Sequence, residues 1–360
     1  MQALVAMDSY LLALYSRTMF IQENVSLQAY STMRLGGKAA FLSEVNDRGD
    51  ITKLVTWAKE RQLPILMIGD GSNIVWRDQG FPGLLLINRL MRFEASNPDD
   101  NTLYLTIGGG ENWDSVVERM VNMGHNGIAE LSLIPGTAGA TPVQNVGAYG
   151  REISDTLVTL EAYDLTTDQF ITMPASECNF GYRTSRFKTT DKGRFLITSI
   201  TLLLTKYPPQ PPFYGSVQQY FNEHGMKKPT VKDIREAVLA IRSAKLPDVA
   251  KVANNGSFFG NPIIDQEQFT QILADYPQIK YWHNGSERIK LSAAWLIEQA
   301  GFRETHDQET GMATWPGQAL VLVNEHAGNT ADLLKFKQKI VDTVQTKFGI
   351  ELKQEPELLP

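Results

Sequence analysis

The feature that most constrains this sequence is a segment of 17 residues, IPGTAGATPVQNVGAYG, from Ile134 to Gly150. It is rich in Gly, Ala, Thr and Pro, so it cannot pack as a helix or strand of a hydrophobic core. Loops of this length are uncommon in compact domains and usually carry function. The segment therefore predicts a functional loop within a folded domain.

Two shorter glycine loops lie in the same half of the chain. Gly69–Asn73 (GDGSN) follows a predicted strand at 65–68, and Gly108–Gly110 follows another at 103–107. Glycine lets backbone N–H groups approach phosphate oxygens closely. None of the three loops completes a Rossmann or P-loop fingerprint. Each alone is typical of a tight β-turn, but three together favour a diphosphate-binding site.

The composition places the chain among ordinary globular proteins. Its 360 residues suggest two or three domains, and 42% hydrophobic with 21% charged residues exclude wholesale disorder. The net charge of −6 argues against a dedicated nucleic-acid-binding protein but allows a local basic pocket. One cysteine, Cys178, excludes an internal disulfide and a Cys-cluster zinc site, and we predict no metal site.

The first 20 residues are apolar but do not resemble a secretory signal. No Lys or Arg precedes the apolar run, and Asp8 interrupts it. A surface helix or a frayed extension is the favoured interpretation. No stretch of the sequence approaches the ~20 uninterrupted apolar residues of a membrane-spanning helix, so we expect a soluble, cytoplasmic protein.

A proline-rich stretch, KYPPQPPFYG at 206–215, predicts the main domain break. Before it, short β-rich runs alternate with glycine turns, and one helix is predicted from Asp114 to Gly124. After it, the pattern predicts alternating helices and strands. These are helices at 230–247 and 292–302, a strand at 319–325, and a long helix capped by Asn329 or Thr330 and closed by Gly349. The fold class is therefore α+β.

Several polar segments could carry chemistry, although each has an ordinary structural explanation. NFGYRTSRFK at 179–188 is a basic edge strand or a site where an arginine meets a carboxylate. The cations of IRSAKLP at 241–247 are expected near a helix C-terminus. NNGSFFGNP at 254–262 could be a bulged strand, and it lacks the G-x-S-x-G pattern of a hydrolase nucleophile.

The GDGSN loop followed by IPGTAGATPVQNVGAYG resembles the family of UDP-N-acetylenolpyruvylglucosamine reductases, flavoenzymes of peptidoglycan synthesis. The resemblance extends from about residue 20 to Glu357, with its motifs in the family's order. It implies an FAD-binding domain of the vanillyl-alcohol-oxidase/PCMH-like type plus a C-terminal α+β substrate-binding domain. The implied division is an N-terminal extension at 1–22, the FAD-binding domain at 23–207 with two subdomains split near 88, a tyrosine loop or linker at 208–224, and the substrate-binding domain at 225–360.

The resemblance implies non-covalent FAD, with NADPH as the hydride source. Backbone and small side chains of the glycine loops would hold the FAD diphosphate. The implied cofactor-binding residues are Ile68, Gly69, Asp70, Gly71, Ser72, Asn73, Ile134, Pro135, Gly136, Thr137, Gly139, Ala140, Thr141, Gln144, Asn145, Gly147, Ala148 and Tyr149.

The implied reaction converts UDP-N-acetylglucosamine enolpyruvate to UDP-N-acetylmuramate. Hydride passes from NADPH to FAD and then from flavin N5 to C3 of the substrate. By resemblance, Arg183 stabilises the charge on the substrate carboxylate, Ser257 protonates C2, and Glu357 is also catalytic. The implied substrate-binding residues are Tyr182, Tyr214, Arg242, Lys245, Asn261 and Gln318, and Tyr214 would mark the longer class of these reductases.

Two other functions remain open from the sequence. Another FAD-dependent oxidoreductase of this fold often tethers its flavin through His or Cys, but Cys178 lies outside the glycine loops. A non-catalytic flavin- or nucleotide-sugar-binding regulator would keep those loops and lose Arg183, Ser257 and Glu357, all of which are present. We expect a monomer that binds neither nucleic acid nor membrane.

Overall fold

The computed structural model describes residues 19–285 and 287–360. The interpretation of the first 18 residues as a surface helix or frayed extension lies outside the described residues. Within the described residues, no helix is both long and apolar enough to cross a membrane. The described chain forms three lobes, each with its own sheet, and one cavity lies where they meet.

The first lobe comprises residues 19–90 and contains a four-stranded sheet. Its strand order is β1-β2-β5-β3, with β2, β5 and β3 parallel and β1 antiparallel. Helix α1 begins after the cap Asp47 and buries Ile51, Leu54 and Val55 against the sheet. The bounds are β1 Gln22–Ser26, β2 Lys38–Val45, α1 Arg48–Glu60, β3 Ile65–Ile68, β4 Ile74–Trp76 and β5 Phe81–Asn88.

The middle lobe comprises residues 91–245 and contains an antiparallel five-stranded sheet in the order β11-β10-β12-β7-β6. The apolar run at 195–204, FLITSITLLL, forms almost all of the central strand β12 of this sheet. The bounds are β6 Phe93–Ser96, β7 Thr102–Gly108, α2 Trp113–Asn122, β8 Gly147–Ala148, β9 Arg151–Glu152, β10 Leu157–Asp164, β11 Gln169–Pro174, β12 Phe195–Thr205, α3 Gly215–Glu223 and α4 Val231–Lys245.

The hydrophobic core changes later along the chain than the predicted boundary at 208–224. Val217 and Phe221 of α3 and Ile234 and Val238 of α4 are buried in the core of the middle lobe, together with α2. The prolines do end β12, as predicted, because they remove backbone donors. However, the apolar faces of the two following helices still pack on the core of the middle lobe, so the next sheet begins only at Ala253.

The C-terminal lobe comprises residues 253–354 and contains two antiparallel sheets, ordered β13-β19-β18-β17 and β14-β16-β15. Helix α7 is capped by the Asn329 side chain, which accepts from Asp332 N at 2.9 Å, and Gly349 ends it with φ 68°. The bounds are β13 Ala253–Ser257, β14 Ile263–Asp265, α5 Gln266–Asp275, β15 Tyr281–His283, β16 Arg288–Leu291, α6 Ala293–Gln299, β17 His306–Asp307, β18 Met312–Trp315, β19 Gln318–Asn324 and α7 Thr330–Phe348.

The last strand, β20 at Glu357–Leu359, leaves the C-terminal lobe and returns to the first. It pairs in parallel with β4, and Leu359 is buried in the core of the first lobe. Just before it, Glu355 N donates to Phe258 O at 2.9 Å, so the same segment also binds the C-terminal lobe. The Glu-Pro-Glu segment therefore lies between two lobes, beside the cavity.

Candidate functional site

A cavity of about 700 Å³ lies at the junction of the three lobes. Its walls combine the loop after β3, the long loop at 134–148, the 182–197 region, the end of β13 and the 355–360 segment. The lining mixes apolar side chains with glycine backbone and a few charged groups. Such a site suits a large, flat ligand with a polar tail.

The first and third glycine loops meet in this cavity and are joined by side-chain hydrogen bonds. Asn73 Nδ2 donates to Gln144 Oε1 at 2.6 Å, and Ser72 Oγ donates to Pro135 O at 3.0 Å. A Cβ on Gly69 would lie 2.1 Å from Thr137 Oγ1, so only glycine allows the two loops to approach this closely. The sequence pattern and the tertiary contact therefore agree on glycine at this position.

Unsatisfied polar groups point to a missing anionic or polar ligand. Among the described residues, no backbone N–H of residues 69–73 donates to a protein acceptor. In the same part of the chain, Thr137 Oγ1 and Asn255 Oδ1 are buried without hydrogen-bond partners, and both residues line the cavity. Buried polar groups usually find partners, so these groups fit a bound ligand that supplies them. The donors suit the diphosphate of a dinucleotide.

Most of the predicted cofactor-binding residues lie in the cavity wall. The members that do so are Ile68, Gly69, Asp70, Gly71, Ser72, Asn73, Ile134, Pro135, Gly136, Thr137, Gly139, Ala140, Thr141, Gln144, Gly147 and Ala148. Asn145 and Tyr149 do not line it. Asn145 is a buried residue of the long loop. Its Nδ2 donates to Glu152 Oε2 at 2.6 Å, and its Oδ1 accepts from Ser154 N at 3.1 Å.

The second glycine loop, Gly108–Gly110, has a packing role. These residues are absent from the cavity lining within the described chain. A Cβ on Gly108 would lie 2.1 Å from Leu90 O, and one on Gly110 would lie 2.6 Å from Arg89 C. The glycines therefore allow the first and middle lobes to approach, which the sequence pattern could not distinguish from phosphate binding.

Arg183 lies at the tip of a tight two-residue turn, with Gly181 and Thr184 exchanging backbone hydrogen bonds at 3.1 and 3.2 Å. Its guanidinium donates to Gly147 O, and its Nε lies 3.2 Å from Glu355 Oε1. Glu152 Oε1 lies 3.8 Å from Nη1. Arg183 has φ 55°, an uncommon conformation for a residue with a side chain. The loop is therefore built to hold the cation in the cavity wall.

The other two predicted catalytic residues also lie in the wall. Ser257 ends β13 after a bulge, where Gly256 has φ 68°, and its side chain is exposed to the cavity. Glu357 begins β20 and pairs with Lys192, with Oε1 2.5 Å from Nζ. Arg183, Ser257 and Glu357 come from different lobes or segments, and the fold brings them to one cavity.

The predicted substrate-binding residues divide into two groups. Tyr182, Arg242 and Asn261 line the cavity, whereas Tyr214, Lys245 and Gln318 do not. Burial lowers the pKa of Arg242, whose Nε has no partner among the described residues. Tyr214 is 42% exposed at the start of α3 and packs edge-to-face on Tyr149, with ring centroids 5.6 Å apart.

Lys188, Lys192 and Glu355 are cavity-lining charged residues that sequence reasoning did not select. Lys188 Nζ donates to Glu355 O at 3.0 Å, and burial lowers the pKa of this lysine. Lys188 and Glu355 belong to the same two sequence motifs as Arg183 and Glu357. The sequence therefore pointed to their segments but not to these side chains. Asn255, two residues before Ser257, was missed in the same way, and its Nδ2 donates to Ser72 O at 3.2 Å.

Comparison with known proteins gives a consistent assignment. Residues 248–359 match the family model of the UDP-N-acetylenolpyruvoylglucosamine reductase C-terminal domain, and residues 39–171 match an FAD binding domain. The UDP-N-acetylenolpyruvoylglucosamine reductase of Chromobacterium violaceum is 36% identical over 343 residues, covering 95% of this chain and 100% of the relative. The Pseudomonas putida reductase is 38% identical over 338 residues, covering 94% and 98%.

A solved structure supports the same fold. The UDP-N-acetylenolpyruvylglucosamine reductase of Thermus caldophilus superposes with a TM-score of 0.65 at 21% identity, covering 95% of this chain and 100% of that one. At this identity the likeness concerns the fold. It agrees with the α+β architecture predicted from the sequence.

Proposed function

The chain belongs to the UDP-N-acetylenolpyruvoylglucosamine reductase family, and from this premise we propose that it reduces UDP-N-acetylglucosamine enolpyruvate to UDP-N-acetylmuramate with FAD and NADPH. The observation that carries the proposal is the convergence of Arg183 and Ser257 on a cavity whose glycine loops present free backbone donors. The product is a peptidoglycan precursor. We place the reaction in the cytoplasm, where NADPH is supplied.

The residues of the cavity fit FAD. The N–H groups of residues 69–73 and the Thr137 hydroxyl would hold its diphosphate, and the apolar wall would hold its ring. When bound, FAD supplies the hydride chemistry by accepting hydride from NADPH and passing it to the substrate. The flavin would be held without a covalent bond, because neither Cys178 nor any histidine of the described residues lines the cavity.

Arg183 would stabilise negative charge on the substrate carboxylate as hydride reaches C3. A guanidinium offers paired donors that match a carboxylate, and its charge is worth most in a water-poor cavity. Contacts with Gly147 O and Glu355 already fix its orientation, so little rearrangement is needed when charge develops. Tyr182, which precedes Arg183 in the sequence, also lines the cavity and would form part of the same pocket.

Ser257 would then deliver a proton to C2. Ser257 lines the cavity directly after a β-bulge in β13, and its side chain is exposed there. A serine is a weak acid, so the resulting alkoxide needs a nearby positive or donating group. Lys245, which the resemblance places among the substrate-binding residues, has an exposed side chain outside the cavity wall and does not supply that group. The role of Glu357, held by Lys192, stays a prediction.

Tyr214, Arg242, Asn261 and Gln318 would bind the rest of the substrate. Arg242 presents a buried cation to the cavity, which suits an anionic diphosphate. Tyr214 lies on the segment after the prolines and contacts Tyr149 of the long loop, so this segment could close over a bound ligand. Membership of the longer class stays a prediction that depends on such closure.

An absorbance spectrum of the purified protein tests the proposal. We expect flavin bands that NADPH bleaches without oxygen and that UDP-N-acetylglucosamine enolpyruvate restores. Absence of flavin would contradict the proposal, and bleaching without recovery would indicate a different flavoenzyme. After acid precipitation the yellow colour should stay in the supernatant. Colour in the pellet would indicate a covalent flavin and refute this part of the proposal.

A further inference from the structure

A second cavity of about 640 Å³ adjoins the first. It is bounded by α5, the end of α7 and the 349–355 segment. Five side chains line both cavities, namely Tyr182, Arg183, Lys188, Asn261 and Glu355. The Arg183–Glu355 ion pair therefore forms part of the partition between the two.

Glu355 is held rigidly in this partition. Its N–H donates to Phe258 O at 2.9 Å, and its carbonyl accepts from Lys188 Nζ at 3.0 Å. Its carboxylate lies 3.2 Å from Arg183 Nε, and its side chain is only 13% exposed. Burial raises the pKa of this carboxyl above its usual range, while Arg183 and Lys188 oppose the rise. The ionised form thus depends on Arg183.

The substrate that the proposed function assigns to this site carries a carboxylate of its own. If it binds Arg183, two carboxylates share one guanidinium that already contacts Gly147 O and lies 3.8 Å from Glu152. Neighbouring carboxylates disfavour each other's ionised form, and one of them then gains a proton. The backbone of Glu355 is fixed on both sides, so its carboxylate could leave this encounter only by rotating its own side chain, which is 13% exposed.

We propose that Glu355 takes up a proton from solvent when a carboxylate ligand binds to Arg183, and releases it when the ligand leaves. The inference rests on the proposed function and adds a proton-linked positioning residue to it. The second cavity, which Glu355 also lines, gives the proton a route from solvent. The proton adds to a carboxylate oxygen, so charge balances without another reactant.

Among the charged groups around Arg183, Glu355 is the carboxyl that we expect to gain the proton when the ligand binds. Arg183 and Lys188 face it directly, and Tyr182 lies beside it. Glu357 is paired with Lys192. On the second-cavity side, Glu351 and Lys353 are exposed and stay solvated. Glu152 lies at the far end of the guanidinium and is more exposed than Glu355.

Calorimetry of the FAD-loaded enzyme, without NADPH, tests the inference. UDP-N-acetylglucosamine enolpyruvate is titrated near neutral pH in two buffers of different ionisation enthalpy, and UDP-N-acetylglucosamine serves as the ligand without a carboxylate. We expect uptake of up to about one proton with the first ligand and none with the second. Affinity for the first ligand should fall as pH rises, by at most about tenfold per pH unit.

Glu355→Gln keeps the size of the side chain but cannot take up the proton, so uptake should disappear. Glu351→Gln removes an exposed carboxylate from the second cavity and should leave uptake unchanged. Uptake that persists in Glu355→Gln would overturn the inference, as would binding of both ligands to the unaltered enzyme with no proton exchange. Failure of both ligands to bind would instead contradict the proposed substrate, and the inference would fall with it.

Discussion

Arg183 occupies the tip of a two-residue turn, and its guanidinium contacts or approaches protein oxygen atoms of Gly147, Glu152 and Glu355. Gly147 matters to this arrangement, because a Cβ there would lie 2.9 Å from Arg183 Nη1. The long loop therefore contributes to both proposed functions of the cavity. It surrounds the cofactor region and leaves room for the cation that would meet the substrate.

Replacing Ser257 by Ala tests its proposed role as a proton donor. We expect flavin reduction by NADPH to be nearly unchanged, because that step needs no proton at substrate C2. Reoxidation by UDP-N-acetylglucosamine enolpyruvate should slow by roughly 10²–10⁴-fold, the usual contribution of a positioned acid. Stopped-flow absorbance of the two half-reactions separates these effects. Ser96→Ala, at an exposed serine of β6, is the control, and equal slowing of both half-reactions by Ser257→Ala would contradict the role.

Asp164 and Arg194 form a bidentate ion pair in the middle lobe, with distances of 2.9 and 2.7 Å. Asp164 is 2% exposed, and the hydrogen bond from Arg194 holds the pKa of its carboxyl below the usual range. A carboxyl with a lowered folded-state pKa stabilises the fold above its unfolded-state pKa of about 3.9. That stabilisation is lost as pH falls through the folded-state value.

Arg194→Met should therefore lower the free energy of unfolding at neutral pH, because it leaves the buried Asp164 carboxylate without its arginine and also removes the 3.2 Å contact with Asp191. Well below pH 4 the difference between variant and parent should shrink, since Asp164 is then neutral in the variant. Urea denaturation at both pH values measures this. Arg92→Met removes an exposed pair with Glu94 and should lower the free energy of unfolding much less than Arg194→Met does. An effect of Arg194→Met that does not vary with pH would refute the argument.

At the scale of elements, the helices follow local sequence rules closely. Helix α2 spans Trp113–Asn122, within two residues of the predicted 114–124, because Asn112 caps its start. Helix α7 resolves the choice between Asn329 and Thr330 in favour of Asn329 as the cap. Thr330 instead donates its hydroxyl to Trp76 O at 2.6 Å and so ties the helix to the first lobe.

Unlike the helix ends, the roles of the glycine loops depend on which distant segment packs against each glycine. Gly69→Ala should weaken FAD binding by about tenfold or more, equivalent to ~1.4 kcal/mol. The new Cβ would push Thr137, and with it the long loop, away from the loop at 69–73. The flavin content of the purified variant and its FAD dissociation constant are the measurements. Gly328→Ala, where no atom lies within 4 Å of the added Cβ, should bind FAD normally. Normal FAD binding by Gly69→Ala would show that the loops do not hold the cofactor.

At the scale of the whole molecule, the final strand connects the lobes. Residues 357–359 complete a parallel pair with β4, and Leu359 O accepts from Arg77 N at 2.9 Å. Met33, Leu35 and Val75 of the first lobe are buried in the core of the C-terminal lobe, so the two lobes share packing as well as this strand. The cavity depends on that junction.

Removal of residues 357–360 should therefore lower Tm by roughly 5 °C or more and reduce flavin content, because a buried leucine and a strand pairing are lost. Thermal unfolding and the ratio of flavin to protein absorbance measure the two effects. Removal of Pro360 alone, an exposed residue, should change Tm little. A truncated protein with normal Tm and full flavin content would show that the strand does not support the cavity.

The sequence by itself determined the α+β class, the strands at 65–68, 103–107 and 319–325, the approximate ends of four helices, the two loops that meet in the cavity, and the family resemblance. These depend on short-range physics, since caps, prolines, glycines and hydrophobic periodicity act over a few residues. It also selected Arg183 and Ser257, because their motifs are local. It could not separate the Gly108–Gly110 loop from a phosphate loop, since both need glycine.

Only the tertiary structure decided which side chains meet. It paired Arg183 with Glu355, 172 residues away in sequence, and placed Glu357 beside Lys192. It packed α3 and α4 on the middle lobe and left Lys245 outside the cavity wall. Such contacts depend on how apolar faces of distant elements share one core, and no local pattern records that choice.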